Sequence, residues 1–318
     1  MILSKERLRL LSEESGFRDE MIEKVILLMD LLAAIVDNPL LKNQFVLKGG
    51  TALNLFYFGL PRLSIDIDLN YIGAIPREEM LANREKIEAV LIRNCEAKGF
   101  QLARQPTVHA GGKMVWRYPS ALGHQGNLEI DLNYMYRVTL WPVVFMSSKK
   151  IGQYSVSDVP VLDFYELAAG KLSALFDRIA GRDLFDTHFL LSKDDLDFEK
   201  LRLAVVVYAA MNRKKNFQDI SIENINFDAT EFKNRVEPML SNEFISKVGK
   251  ISIWAEELLA ECKEKLAKLF PLRANELQFL SEACNGHIKP ELITNDPILI
   301  KNIQLHPALH WRVKKENQ

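Results

Sequence analysis

Apolar side chains at Met21, Val25, Leu28, Leu32 and Ile35 recur at helical spacing and predict that residues 1–38 are helical up to Asn38-Pro39. The pattern then shortens. Phe45-Val46-Leu47 reads as a brief apolar strand running into Lys48-Gly49-Gly50-Thr51, and Ala52–Phe58 as a helix broken by Gly59-Leu60-Pro61. From Ser64 to Tyr71 the period becomes two: Ile65, Ile67 and Leu69 alternate with Asp66, Asp68 and Asn70. Residues 77–99 are charged and helix-forming, and residues 100–150, richer in Val, Trp, Tyr and Gly, read as β-rich. The alternation recurs at Leu128–Tyr134, with Leu128, Ile130 and Leu132 on one face and Glu129, Asp131 and Asn133 on the other. Val156–Val161 reads as a Pro-containing linker. A strong helix follows, whose start carries Asp163 and Glu166 as a capping box. From about residue 175 the chain reads as mostly helical, with loops around Asn216–Asp228 and Asn285–Asp296.

Composition narrows the class. The chain has 318 residues, 48% of them hydrophobic, enough for a sizeable core and for two domains. Its 41 basic and 42 acidic side chains give a net charge of −1, so any nucleic-acid contact must come from local patches. Arg213-Lys214-Lys215 and Arg312, Lys314 and Lys315 are the candidate patches, although such clusters are more often solvated loops. Cys95, Cys262 and Cys284 are far apart and form no Cys-x-x-Cys pair, which excludes a zinc ribbon or a disulfide framework. The N-terminus has charges where a secretory signal would be apolar. Val25–Val36 is too short to span a bilayer and carries Asp30, so a soluble, cytoplasmic protein is expected.

The candidate chemistry lies in the two alternating strands. Two carboxylates on one strand face repel each other unless a cation sits between them, and magnesium, a hard ion with oxygen ligands, suits the site. If the two strands are neighbours, Asp131 completes a three-carboxylate cluster with Asp66 and Asp68, the kind of site that holds two metals for displacement at phosphorus. One alternating acidic strand is ordinarily a half-exposed strand with a solvated face; two matching ones, with a Gly-Gly-Thr turn between strand and helix, make that explanation weaker. Glycines at such a turn let a phosphate approach the backbone closely. The turn is neither a Walker A loop nor a dinucleotide fingerprint.

Strand, Gly-Gly-Thr, helix and Asp-x-Asp together resemble the polymerase-β-type nucleotidyltransferase signature, with a gap from Gly50 to Asp66 toward the long end for that superfamily. The fuller string KGGTALNLFYFGLPRLSIDIDL is similar to the AbiEii/AbiGii toxin family, matched by Gly-Gly-Thr-Ala-Leu, Arg62, Ser64, Asp66 and Asp68. A second block, Lys171–Leu175, Arg178 and Arg182-Asp183-Leu184-Phe185-Asp186, resembles that family's later lysine and R-D-x-x-D motif. Lys171, Leu175 and Arg178 would share a helix face, and Gly181 would interrupt that helix before a second short one. Lys171 lies in a largely apolar helix rather than a charged one. Its replacement by alanine is expected to leave the fold intact, because it contributes charge rather than core volume. The resemblance covers roughly residues 20–195 and leaves the part after about residue 200 unmatched.

The resemblance implies an α+β nucleotidyltransferase fold, a small mixed sheet flanked by helices, over residues 1–160. A mainly helical part, 161–318, would contribute Lys171 and Asp186 to the site. It implies transfer of a nucleoside monophosphate from a nucleoside triphosphate, with two Mg2+ held by Asp66, Asp68 and Asp131. Asp131 would also help deprotonate the acceptor hydroxyl. Gly49, Gly50, Thr51 and Ser64 would contact phosphates, with Arg62, Arg178 and Arg182 among the nucleotide-binding residues. Lys171 would neutralise the triphosphate, oriented by Asp186. The implied acceptor is the 3′ end of tRNA and the implied partner a cognate antitoxin. Two alternatives remain open: transfer to a small molecule or a protein hydroxyl, and a non-catalytic nucleotide-binding module, against which the three intact acids argue.

Overall fold

The protein was analysed as a computed structural model that describes residues 3–107, 110–178, 180–212 and 221–316, without the side chains of 312–316. The basic cluster Arg213-Lys214-Lys215, the first part of the Asn216–Asp228 loop and the side chains of Arg312, Lys314 and Lys315 lie outside the described residues. The chain forms two compact units. The first comprises residues 1–137, 143–162 and 238–247; the second comprises 138–142, 163–237 and 248–318. This differs from one cut after residue 160 in that 138–142 group with the second unit and 238–247 with the first.

The first unit is built on a seven-stranded mixed sheet. Its strands are β1 (Phe45–Lys48), β2 (Asp66–Tyr71), β3 (Gln101–Arg104), β4 (Gly111–Pro119), β5 (Gln125–Asn133), β6 (Val144–Met146) and β7 (Val159–Val161). Their order in the sheet is β3-β4-β5-β2-β1-β7-β6. β2 runs parallel to β5 and β1 parallel to β7; the other pairs are antiparallel. Val156–Val161, expected as a linker, therefore ends in a strand. Its Pro160 lies in a three-residue strand that the sequence pattern alone is too short to reveal.

One face of this sheet is apolar. Phe45, Leu47, Ile67, Leu69, Tyr71, Met114, Trp116, Leu128, Ile130 and Leu132 are all buried, following the period of two on four adjacent strands. Helices α1 (Lys5–Ser15), α2 (Asp19–Asp37) and α4 (Arg77–Ala97) belong to this unit, with α3 (Gly49–Thr51) between β1 and β2 and most of a later short helix, Asn242–Val248. Ser4 caps α1 by accepting from Arg7 N, and Gly16 ends it in the left-handed region at φ 71°. α2 buries eleven of its side chains. Glu23 reaches from it to Ser120 Oγ and Ala121 N, both at 2.6 Å, tying helix to the β4–β5 turn. α4 is fixed to α2 by Lys98–Asp30 at 2.9 Å and lies over the apolar face, where Arg84 stacks on Tyr134. The expected helix from Ala52 continues α3 as a π-helical stretch, Ala52–Tyr57.

The second unit is helical: α5 (Phe164–Asp177), α6 (Gly181–Leu191), α7 (Phe198–Met211) and further helices to residue 316. This is the expected α+β architecture, a mixed sheet with helices followed by a mainly helical part. Among the described residues no helix is long and apolar enough to cross a membrane, and the three cysteines are unpaired thiols.

The expected capping box at α5 is half right. Asp163 accepts from Tyr165 N at 2.8 Å, but Glu166 does not turn back to it. Instead the Glu166 carboxyl accepts from Leu140 N at 2.9 Å and Trp141 N at 3.2 Å, with Tyr208 Oη at 3.3 Å. Two backbone donors brought in from residues distant in sequence outcompete the local cap. Burial pushes the Glu166 carboxyl up to about 8, against the pull of those two N–H groups. The folded state therefore binds a proton that the unfolded chain releases near the ordinary glutamate value. Stability from this group is complete below about pH 4 and declines as pH rises toward 8. Glu166→Gln keeps the acceptor and gains a donor toward Tyr208. It is expected to fold and to flatten the loss of stability between pH 5 and 8, by about 1.4 kcal/mol or more, as read by urea denaturation at both pH values. An unchanged slope would show that Glu166 is ionised in the native protein.

Candidate functional site

The two acidic strands are neighbours. In the parallel β2–β5 pair Asp66 stands opposite Glu129, Asp68 opposite Asp131 and Asn70 opposite Asn133. Ile67 and Leu69 face Ile130 and Leu132 in the same register and are buried, so the acids share the other face. The row through Asp68 extends in both directions: Lys48 on β1 pairs with Asp68, and Lys113 on β4 pairs with Asp131. Four strands thus carry Lys113, Asp131, Asp68 and Lys48 side by side, two carboxylates between two lysines.

The electrostatics follow from this row. Partial burial raises the Asp131 carboxyl; Lys48 pulls it down, Asp68 pushes it up, and Lys113 and Glu129 oppose each other in the same way. The Lys113 ammonium hydrogen-bonds Glu129 Oε2 at 2.5 Å and also feels Asp66 and Asp131, so its proton is held more tightly than usual despite some desolvation. As the side chains stand, no three His, Cys, Asp or Glu groups among the described residues are gathered closely enough to hold a metal ion. A cavity of about 760 Å³ is lined by apolar-face side chains such as Leu47 and Leu69 with Leu32 and Phe145. It includes none of the acids in the row.

The Gly-Gly turn positions this row. Gly49 has φ 76°, in the left-handed region, and a Cβ there would lie 2.1 Å from Asp68 Oδ2. Only glycine lets the turn pass so close to that carboxylate. Behind it, Thr51 Oγ1 donates to the Asp66 carbonyl at 2.5 Å, which leaves Ser64 Oγ, 3.0 Å away, to donate to Thr51. Both hydroxyls are buried and brace the first residue of β2 against α3. Gly50 is buried, and its carbonyl accepts from Asn54 Nδ2 at 2.9 Å. Arg62 is 2% exposed and donates to the Leu63 carbonyl at 2.8 Å, within the loop leading to β2.

The second unit gathers the later motif. Lys171 on α5 bridges two carboxylates of α6, Asp183 at 2.9 Å and Asp186 at 2.8 Å. Both acids are buried, while the lysine side chain is 11% exposed. Arg178 does not continue the helix face with Lys171 and Leu175 as expected: it is extended, at φ −144° and ψ 145°, and caps α5. From there its Nε donates to Asp183 Oδ2 at 2.7 Å. Burial works to raise Asp183, but Lys171 and Arg178 together outweigh it and hold the carboxyl below its ordinary value. Gly181 starts α6, where its N–H donates to Glu231 at 2.7 Å, and Arg182 follows in the first turn. This network argues against the expectation that Lys171→Ala is structurally neutral, since the change would remove a positive charge that two buried carboxylates share.

Sequence reasoning passed over Lys113. Its alternation with Met114, Trp116 and Tyr118 was the available signal, but only the β4–β5 register places it beside Asp131.

A family model for the nucleotidyl transferase AbiEii toxins of type IV toxin–antitoxin systems matches residues 30–250. Comparison with curated proteins gave no match. Among solved structures, MenT4, a nucleotidyltransferase toxin from Mycobacterium tuberculosis H37Rv, shares the fold with a TM-score of 0.57 at 18% identity, over 96% of this chain and 98% of that one. The family match spans well over half of the chain and includes both acidic strands, the Gly-Gly turn and the Lys171 network. This chain therefore belongs to the AbiEii family of nucleotidyltransferase toxins of type IV toxin–antitoxin systems.

Proposed function

We propose that this enzyme transfers a nucleoside monophosphate from a nucleoside triphosphate to the 3′ end of tRNA in a magnesium-dependent reaction, and that a cognate antitoxin restrains it. The observation that carries this reading is the register pairing of Asp68 with Asp131, with Asp66 on the same face of the sheet. The donor set fits a hard divalent cation: carboxylate oxygens on two adjacent strands, with mutual repulsion to relieve. Asp66, Asp68 and Asp131 would hold magnesium, which supplies charge stabilisation for displacement at phosphorus. Asp131 is the acid best suited to take the acceptor's proton, because burial and Asp68 raise its carboxyl. Gly49 and Gly50 form the corner that phosphates approach, with Thr51 and Ser64 holding it rigid and Arg62 fixing the loop behind. Lys171 supplies positive charge for the triphosphate, oriented by Asp186 and Asp183, with Arg178 and Arg182 nearby in the same motif. Transfer to a small molecule or a protein hydroxyl is the alternative outcome of the same assay.

The test is incubation with each α-labelled nucleoside triphosphate, magnesium and total RNA. Label is expected on tRNA-sized RNA and is expected to vanish with EDTA. Asp131→Asn should reduce transfer at least about 100-fold, the scale of a lost catalytic acid–base group. The same change should leave the metal-free protein as stable as before, or roughly 0.2–1 kcal/mol more so, because it removes a like-charge cross-strand pair. Label on protein or on a small molecule would replace the tRNA reading, and transfer that survives EDTA would sink the metal reading.

Lys171 needs two variants. Lys171→Ala is expected to lower stability by about 3–5 kcal/mol, as removing one partner of a buried ion pair does. Lys171→Arg should keep the charge and most of the stability while raising the KM for the triphosphate. Full stability of Lys171→Ala in a chemical melt would contradict the network. An unchanged KM in Lys171→Arg would argue against triphosphate contact.

Expression without an antitoxin should slow bacterial growth, and Asp66→Ala should abolish both the slowing and the transfer. Growth inhibition persisting in a folded Asp66→Ala protein would show that toxicity is not catalytic.

A further inference from the structure

The acid row has its own cations. Lys113, Asp131, Asp68 and Lys48 occupy one register row across β4, β5, β2 and β1, each directly opposite the next. Neighbouring strands lie about 4.8 Å apart, so a lysine side chain at either end of the row can lean over the adjacent carboxylate. Lys113 already has an alternative partner on the same face, Glu129 Oε2 at 2.5 Å, one strand away and two residues from Asp131. Its side chain is 46% exposed.

We propose that Lys113, held beside the row on Glu129, and Lys48 from the opposite side are internal counter-cations of the acid row, whose positive charge opposes entry of a divalent cation at Asp131 and Asp68. The inference rests on the reading of these acids as a metal site. Directly opposed carboxylates repel, and a sheet holding them through folding needs nearby positive charge. Glu129 already holds the Lys113 ammonium, so metal binding at Asp131 does not leave that lysine without a carboxylate. The arrangement lowers the affinity of the free enzyme for metal alone and favours metal arriving with the triphosphate, whose negative charge offsets the two lysines.

The test is direct binding of Mn2+ to the full chain without nucleotide, followed by electron paramagnetic resonance. Wild type, Lys113→Met, Glu129→Gln, Arg117→Met and Asp68→Asn are compared, with folding checked by circular dichroism. Lys113→Met is expected to bind Mn2+ roughly three- to tenfold more tightly, as removal of a neighbouring positive charge requires. Its metal-free melting temperature should fall, and saturating Mn2+ should raise it by more than in the wild type. Glu129→Gln should bind more weakly. Arg117→Met, on the same face of β4 but opposite Asn127, should bind as the wild type does. If Lys113 only ties β4 to β5 through Glu129, Lys113→Met and Glu129→Gln would lose stability alike and neither would tighten metal binding, which overturns the inference. Mn2+ binding that is absent in the wild type, or unchanged in Asp68→Asn, would instead overturn the metal reading itself, and the counter-cation role with it.

Discussion

Two carboxylates, Asp68 and Asp131, stand opposite each other on adjacent strands of one sheet. Like charges in that position destabilise a sheet, so the surrounding structure is arranged to hold them there. Ile67 and Leu69 of β2 and Ile130 and Leu132 of β5 are buried on the reverse face, which locks the register: a slip of one residue would turn every acid into the core. Lys48 and Lys113 flank the pair, and Gly49 passes so close to Asp68 that no side chain fits between them. The hydroxyls of Thr51 and Ser64 fix the first residue of β2.

The second unit solves a similar problem with the opposite balance. Two buried carboxylates, Asp183 and Asp186, meet one lysine and one arginine, so the cluster is compensated within itself. Burying such charges is costly, and their attraction offsets the cost only when every partner is present. The acid row on the sheet is more open, and with Asp66 and Glu129 on the same face it sets four carboxylates against Lys48 and Lys113. A compensated cluster is a fixed piece of structure that presents Lys171 in one orientation, whereas an under-compensated one leaves net negative charge on the sheet face. The two motifs of the family thus differ in physical character as well as in sequence.

The fold was legible where local pattern and tertiary environment agree. The period of two at Asp66–Tyr71 and Leu128–Asn133 identified strands with one apolar and one acidic face, and the long apolar helix Asp19–Asp37 and charged helix Arg77–Ala97 showed in their spacing and composition. Legibility failed where a distant partner overrides a local preference. Glu166 was read as half of a cap because of its spacing from Asp163, yet two amides at Leu140 and Trp141 claim it. Arg178 was read on a helix face, yet Asp183 draws it out in an extended conformation. Val159–Val161 is too short and too proline-marked to read as a strand until β1 and β6 lie beside it.

The sequence by itself determined which acids are candidates for the chemistry and which face each takes, because side-chain alternation in a strand is a local consequence of backbone geometry. It also determined the Gly-Gly turn, since only glycine tolerates φ 76° with a carboxylate against its Cα. Tertiary structure alone decided that Asp68 stands opposite Asp131, that Lys113 joins their row, and that Lys171 is spent on two buried acids. Strand order, register and long-range ion pairs are set by packing between segments far apart in the chain, and no local pattern of residues encodes which segment will be the neighbour.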